Sequence, residues 1–466
     1  MKVELIGDKG QSLLEILIAL GIIALSVSSA VAVFFSGRSL LIDAQMENLA
    51  LNIARQEYEL TKAAAQINFA NLTNSSSTSG DFIKETIVEP IDSYTKRVTN
   101  RVSWKTNPLR TQKVELNTIL TDWRNFSQSG GDTGGGGLTG DWKRPITLGS
   151  IDLGAGNSAT GLDVKNKIVY LSVQASDAKK PDFYIVNATD GRHPFIVSSI
   201  NTGPGLNAVD VANNYAYVAN QDINAQLQII DVSNINNPVL VSSFKLNNVS
   251  GNGAVGQSVF YNNGKIYIGT KKATGPEFHI IDVSNPTNPL ELGAFEVNAD
   301  VNDIYVKNDI AYLATSDNEE LILLDVSHPS NILKISGYNA PGDSEDGKSL
   351  WLVGNKLYLG RLIGGNYIEN HEFHILDIST STAILDLGSK DIAANVNGVL
   401  TRDYLAFLAT DDPNKELQIW EISNPANINL WASFNFPQVA TDIDYEDNLV
   451  YVSVRSNDAL RIITSQ

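Results

Sequence analysis

Two hydrophobic rhythms divide this chain. Residues 16–35 form a run of twenty positions without a charge, and beyond it Leu40, Leu41, Met46, Leu49, Ile53 and Leu60 continue an apolar stripe at roughly helical spacing. No proline occurs before Pro90. The pattern predicts one helix over residues 11–72, roughly 90 Å long at 1.5 Å per residue, more than a bilayer needs. From Trp142 onward the rhythm becomes a short apolar–aromatic–apolar block that recurs seven times. The copies are Val169-Tyr170-Leu171, Ala216-Tyr217-Val218, Ile266-Tyr267-Ile268, Ala311-Tyr312-Leu313, Leu357-Tyr358-Leu359, Ala406-Phe407-Leu408 and Val450-Tyr451-Val452. Their aromatics lie 47, 50, 45, 46, 49 and 44 residues apart.

A second apolar block follows each of these, clearest in Leu227-Gln228-Ile229-Ile230-Asp231-Val232, and after it comes Asn-Pro with a further short strand, as in Asn237-Pro238-Val239-Leu240-Val241. Each unit therefore predicts four short strands with turns between them, the pattern of a propeller blade. The seventh unit stops at Gln466 without its fourth strand. The missing piece stands at the front, where residues 144–151 match residues 237–244. The fold class expected is mostly β: a long N-terminal helix with a small sheet, then a seven-bladed β-propeller closed by an N-terminal strand. Closure of that kind leaves no open strand edge at the joint.

Between these regions, residues 94–105 and 112–123 alternate apolar and polar positions and predict two strands joined across 106–110. The Ser/Thr/Asn-rich stretch 71–80 reads as a loop. Lys96, Arg97, Arg101 and Arg124 read as a solvated sheet face. Residues 130–140 are a glycine-rich linker by composition. The expected domains are a leader 1–10, the helix 11–72, a small β domain 73–126, a linker 127–141 and the propeller 142–466.

Charge sharpens the division. Residues 1–140 carry 13 Lys+Arg against 14 Asp+Glu, whereas residues 141–466 carry 21 against 38, so the net charge of −18 belongs almost wholly to the repeats. An acidic surface of this kind argues against nucleic acid as a partner. The absence of cysteine excludes disulfides, thiolate metal sites and cysteine nucleophiles.

Few residues offer chemistry. The carboxylate in the third strand of five of the units (Asp231, Asp282, Asp325, Asp377, Glu421) is spread around the ring, and such a residue before a turn bonds its own backbone. His279 and His374 share an offset in units that are not neighbours, which gives no metal site. The acidic stretch 342–346 and the pair Asp411-Asp412 are a weak signal for Ca²⁺ without a loop spacing. The more suggestive set begins each innermost strand: Thr160, Asn207, Asn302, Lys348, Asn397 and Thr441, with Asp303 and Asp442 one step on. These would form a polar ring at the mouth of the channel, either as solvated wall or as a ligand-binding site. No catalytic or metal residue and no cofactor is expected.

Two resemblances add to this. Lys9-Gly10-Gln11-Ser12-Leu13-Leu14-Glu15-Ile16 resembles the processing site of type IV prepilins and pseudopilins, with a short charged leader ending in glycine and Glu at the fifth mature position. The resemblance implies cleavage between Gly10 and Gln11, methylation of Gln11, and an assembly role for Glu15, whose buried carboxylate a neighbour's terminal ammonium would pair. Gln11 itself and the lack of a proline in the apolar run depart from the family's usual pattern. Ser29-Ala30-Val31-Ala32 would suit a secretory cleavage site, but the retained Glu15 and the continuing stripe argue for the prepilin. The repeats over 142–466 resemble the LVIVD-type propeller repeat. Together these imply a minor pilin displaying a propeller for adhesion or ligand binding, first in the inner membrane and then on the cell surface. Its partners would be other pilins, the prepilin peptidase, the membrane and a surface glycan or protein. The alternatives are a membrane-tethered propeller enzyme, hydrolase or lyase, and a secretion pseudopilin with an interaction propeller.

Overall fold

The computed structural model describes residues 9–67, 69, 72–90, 95–107, 110–121, 137–175, 179–251, 253–342, 346–364 and 370–466. The chain divides into two compact units, Met1–Trp123 and Arg124–Gln466. Most of the expected leader, residues 127–136 of the expected linker, and the surroundings of Gly10, Gln11 and Glu15 lie outside the described residues.

The first unit is built on one helix, Lys9–Ile67, of 59 residues. Its end falls five residues before the expected position 72. Ser26, Ser28 and Ser29 donate to the carbonyls four residues back at 2.7–2.8 Å, so the hydroxyls within the apolar run are satisfied inside the helix. The run 16–35 is only partly described, and among the described residues no helix is long and apolar enough to cross a membrane. Leu17, Ile18, Leu20, Ile22, Ile23, Leu25 and Val27 are each more than half exposed. The second half of the helix is different. Ala50 and Ala54 are fully buried, and small residues there let the helix close on Phe82, Val102 and Trp104 of a sheet.

That sheet has four antiparallel strands in sequence order: Ser75–Ser79, Phe82–Pro90, Thr95–Asn107 and Arg110–Thr121. Two were expected. The stretch read as a loop contains an edge strand, Ser75–Ser79, whose side chains are all exposed. It is held by main-chain pairing to Phe82–Pro90, which hydrophobic patterning does not register. Of the basic residues expected there, Arg124 lies outside the described residues, Arg97 is exposed, and Lys96 and Arg101 are not simply solvated. Arg101 spans Glu115 at 2.6 Å and Glu85 at 3.4 Å, and Lys96 donates to the carbonyls of Phe69 and Leu72, just past the end of the helix.

Among the described residues of the second unit, strands form seven four-stranded antiparallel sheets. Their innermost strands are Asn157–Lys165, Leu206–Ala212, Gly256–Asn262, Val301–Lys307, Gly347–Val353, Val396–Arg402 and Ala440–Glu446. Each lies against the innermost strand of the next sheet, and Ala440–Glu446 lies against Asn157–Lys165, so the series returns to its start as a β-propeller. The third strand of each of the first six sheets is buried at its first four positions, on both faces. That double burial is why the sequence there runs continuously apolar instead of alternating.

The seventh sheet consists of Ala440–Glu446, Leu449–Val454, Asp458–Ser465 and, from the front of the unit, Pro145–Asp152. Ile151 pairs with Leu460, Gly149 with Ile462 and Thr147 with Ile463. The register shifts between Ile462 and Ile463, at the same place where it shifts in every other sheet, for example between Ile229 and Ile230 or between Ile375 and Leu376. The packing repeats too. A Cβ on Gly293 or Gly388 would overlap a carbonyl oxygen in the next sheet's turn, at 1.7 Å from Pro329 and 1.9 Å from Pro425. One on Gly149 would meet the Gly191 carbonyl at 2.3 Å. The front strand thus does at the seventh-to-first junction what the ordinary fourth strands do elsewhere.

The propeller begins earlier than position 142. Leu138 and Thr139 donate their N–H groups to Asp403 at 2.7 Å and Asn448 at 2.9 Å, and Trp142 is buried edge-on against Phe407. Residues 138–141, expected as linker, are anchored to the second unit.

Candidate functional site

The innermost strands share one register, and its first positions decide how the sheets are joined. Thr160 Oγ1 donates to the Leu206 carbonyl at 2.7 Å, Asn207 Nδ2 to Gly256 at 2.7 Å and Ser258 Oγ to Val301 at 2.7 Å. Asn302 Nδ2 donates to Gly347 at 2.8 Å, Ser349 Oγ to Val396 at 2.9 Å and Asn397 Nδ2 to Ala440 at 2.9 Å. Thr441 Oγ1 donates to Ala159 at 3.1 Å and completes the circle. At this register each sheet gives one side-chain donor to a main-chain carbonyl of the sheet after it. Those carbonyls would otherwise be left unpaired where two blades meet, at a cost of about 1–3 kcal/mol each.

Asp303 and Asp442 work one step deeper. Asp303 accepts the Leu350 N–H at 2.7 Å, and Asp442 accepts the Leu162 N–H at 3.1 Å, both across a junction. Burial in the channel wall pushes both carboxyls up, Asp303 to about 6 and Asp442 to about 7, with backbone donors opposing the rise. Asp303 and Asp163 push Asp442 higher still. The Lys348 ammonium is lowered, mainly by burial, with Asp303 opposing that shift.

All eight residues expected at the channel mouth line one cavity of about 230 Å³. Five of them are spent as inter-sheet donors and two as inter-sheet acceptors. Lys348 takes no part in the circle, because Ser349 beside it makes the bond. Gln257 holds the same position in the third sheet and was missed from the sequence; Ser258 replaces it in the same way. The aligned triplets Gly256-Gln257-Ser258 and Gly347-Lys348-Ser349 carry that signal.

The raised carboxyl of Asp442 gives a pH prediction. A carboxyl whose pKa is higher folded than unfolded adds stability that is complete below the ordinary carboxyl value and is lost as pH rises through the folded value. For Asp442 that window runs from its ordinary 3.8 to about 7. The melting temperature of the native chain, minus that of Asp442→Asn, should therefore fall between about pH 4 and pH 7.5. Parallel profiles for the two proteins would refute it.

The remaining candidates are structural. Asp231, Asp282, Asp325 and Asp377 each accept the N–H two residues on at 2.8–2.9 Å, and Glu421 accepts that of Ser423 at 3.1 Å. His279 and His374 are buried and use both ring nitrogens alike, toward a carboxylate at 2.9 Å (Glu291 or Asp386) and a carbonyl three residues back. Asp411 accepts the Asn395 N–H and Asp412 that of Asn414; residues 343–345 lie outside the described residues. Among the described residues no group of three or more His, Asp or Glu side chains is placed to hold a metal.

A further buried row escaped the sequence reading. Asp182, Gln226, Glu277, Glu320, Glu372 and Glu416 stand just before the third strands and are almost fully buried. Each accepts the N–H of the residue twenty positions on, at 2.7–3.0 Å, which fixes the connection to the next sheet. An acidic or amide residue immediately before each apolar block was the signal.

Comparison with known proteins agrees with this geometry. Residues 207–245, 266–297, 299–340 and 406–435 match the LVIVD repeat. No curated protein matches the sequence. Among solved structures, virginiamycin B lyase from Staphylococcus aureus is similar at 11% identity and a TM-score of 0.52, covering 69% of this chain and 99% of the lyase. A catalytically inactive variant of that lyase with quinupristin gives 12%, 0.51, 68% and 99%. A chain of a mitotic checkpoint complex gives 14%, 0.50, 71% and 96%. At these identities the likeness speaks for the fold alone. The second unit is a β-propeller that carries LVIVD repeats.

Proposed function

We propose that this chain is a type IV pilus-like minor pilin that displays a seven-bladed propeller for adhesion or ligand binding at the cell surface. One observation carries the reading: the helix Lys9–Ile67 buries its second half on a sheet and leaves seven large apolar side chains of its first half exposed. An apolar helix surface of that length calls for a cover, first the inner membrane and then the helices of neighbouring pilins. The internally bonded serines lower the cost of placing it in either. The propeller is read as a binding module because the polar groups of its channel are engaged in holding the sheets together. Its acidity turns it from nucleic acid toward a glycan or protein partner.

Processing provides the test. Mass spectrometry of the native protein should find a peptide that begins at N-methylated Gln11, released by the prepilin peptidase after Gly10. A mature start near Val33 would mean a secretory signal and would end the pilin reading.

A further inference from the structure

One register position of the innermost strands is put to opposite uses on the two sides of the channel. In the seventh, first and second sheets it holds Asp444, Asp163 and Asp210; in the third, fourth and fifth it holds Phe260, Tyr305 and Trp351. All six line the same cavity of about 230 Å³. Because each set comes from three consecutive sheets, one arc of the wall is carboxylate and the arc across from it is aromatic. Phe260 and Tyr305 pack against each other, their ring centroids 5.0 Å apart and their planes tilted by 42°.

We infer that this cavity binds a small organic ammonium ion, held by the carboxylate arc on one side and by aromatic faces on the other. The inference rests on the reading of the propeller as a binding module and gives the chemical class of one ligand. Three arguments lead to it. Charge comes first: the wall carries five aspartates against two lysines, Lys165 and Lys348, and four aspartates still outnumber them when Asp442, pushed up to about 7, is left out. Lys165 already sits 3.5 Å from Asp163, and Lys348 interacts with Asp303. The cavity thus attracts cations and repels anions.

The second argument concerns which cation. A hard metal ion needs six to eight oxygen ligands for calcium, or about six in near-ideal octahedral geometry for magnesium. Here three residues of the wall, Phe260, Tyr305 and Trp351, are aromatic, and aromatic rings attract organic ammonium groups instead. The carboxylates are also fixed by backbone donors of the next sheet: Val164 N–H to Asp444 at 2.8 Å, Tyr261 N–H to Asp210 at 2.6 Å, and Val211 N–H to Asp163. A cation entering meets charge that is already oriented, with little side-chain ordering to offset. Size is the third argument. The cavity lies below the roughly 300–1,000 Å³ of pockets for drug-sized ligands, so a glycan chain or peptide does not fit inside it and a simple amine does.

The test uses the full chain in neutral detergent, titrated by calorimetry with tetramethylammonium and propylammonium chloride. Uncharged 1-propanol at matched ionic strength is the control. Saturable binding of at least one ammonium ion and not of 1-propanol is expected. Asp210→Asn should weaken it about tenfold, and Trp351→Leu about three- to tenfold. Should either variant melt early, Asp163→Asn and Tyr305→Leu probe the same two arcs. A folded chain that binds neither ammonium ion saturably, or binds 1-propanol equally well, overturns the inference. That failure alongside a methylated Gln11 peptide would leave the pilin reading standing. Saturable ammonium binding without the peptide would do the reverse.

Discussion

Deleting residues 141–152 should abolish the single cooperative melting of the propeller and replace it with a broad, earlier transition. The segment supplies the fourth strand of the seventh sheet, and without it the strand Asp458–Ser465 becomes an open edge. It also carries Trp142 and Ile151, both buried, and the loss of buried side chains of this size costs about 2–5 kcal/mol each. The packing of Gly149 against the turn at Gly191 goes with them. What remains at the seventh-to-first junction is the apolar cluster that joins Tyr451, Leu460 and Ile462 to Leu162 and Val164, now open on its outer side, and side-chain bonds on the innermost strands: Thr441 to Ala159, Asp442 to Leu162, Asp444 to Val164, and Glu446 to Asn166 at 2.9 Å and to Lys167. Those bonds hold only while both strands keep their places. Once the outer half of the junction is gone, the seventh and first sheets fray independently and the ring loses its all-or-none character. Differential scanning calorimetry reads this directly, as a van't Hoff enthalpy well below the calorimetric one. A deleted chain that melts as sharply and as high as the native one would show that the front strand does not hold the ring together.

The repeats were legible because a strand buried on both faces cannot hide its apolar run, and seven copies make the spacing unmistakable. The front strand could be matched to the back because Pro145 and the residues after it copy the fourth-strand pattern of Pro238 and Leu240. The roles at the channel mouth were less legible. Thr160, Asn207, Asn302, Asn397 and Thr441 read from the sequence as solvated wall or as a ligand site, yet each is engaged by a carbonyl of the next sheet. A pattern read along one strand says nothing of the unpaired carbonyl facing it from another. Gln257 was missed in the unit that follows the longest aromatic spacing, 50 residues, which obscured where its first strand begins. Ser75–Ser79 has no apolar residue at all, so only its pairing reveals it. The charges before the third strands drew no reading from the sequence, because lone carboxylates ordinarily avoid burial. Their backbone donors overturn that rule.

The largest single-site effect should come from Arg361, the one fully buried arginine among the described residues. It pairs with Gly347 at the start of the fifth sheet, in the position taken by Asn220, Thr270, Thr315 and Thr410 in other sheets. Its Nη2 donates to Glu320 of the fourth sheet at 2.6 Å, and its Nη1 donates to the His371 carbonyl at 2.9 Å. Glu320 also accepts the Ala340 N–H at 2.8 Å. The neighbouring sheets show that this position works with a hydroxyl or an amide, so Arg361→Thr introduces nothing foreign to the fold. It does leave Glu320 buried without its counter-charge. Breaking a buried pair from one side costs about 3–5 kcal/mol, whereas removing both charges is often close to neutral. Arg361→Thr and Glu320→Gln should therefore each lower the melting temperature by roughly 5–10 °C, and the double variant should lie well above the sum of the two losses. In the double variant the side-chain amide introduced by Glu320→Gln can still accept the Ala340 N–H, as Gln226 accepts that of Leu246 in the second sheet at 3.0 Å. Thermal melts of the four proteins decide the matter. Strictly additive losses would mean that the two charges are not stabilised by each other, and that the fourth-to-fifth junction is held by its apolar contacts and by the bonds of Asn302 and Asp303.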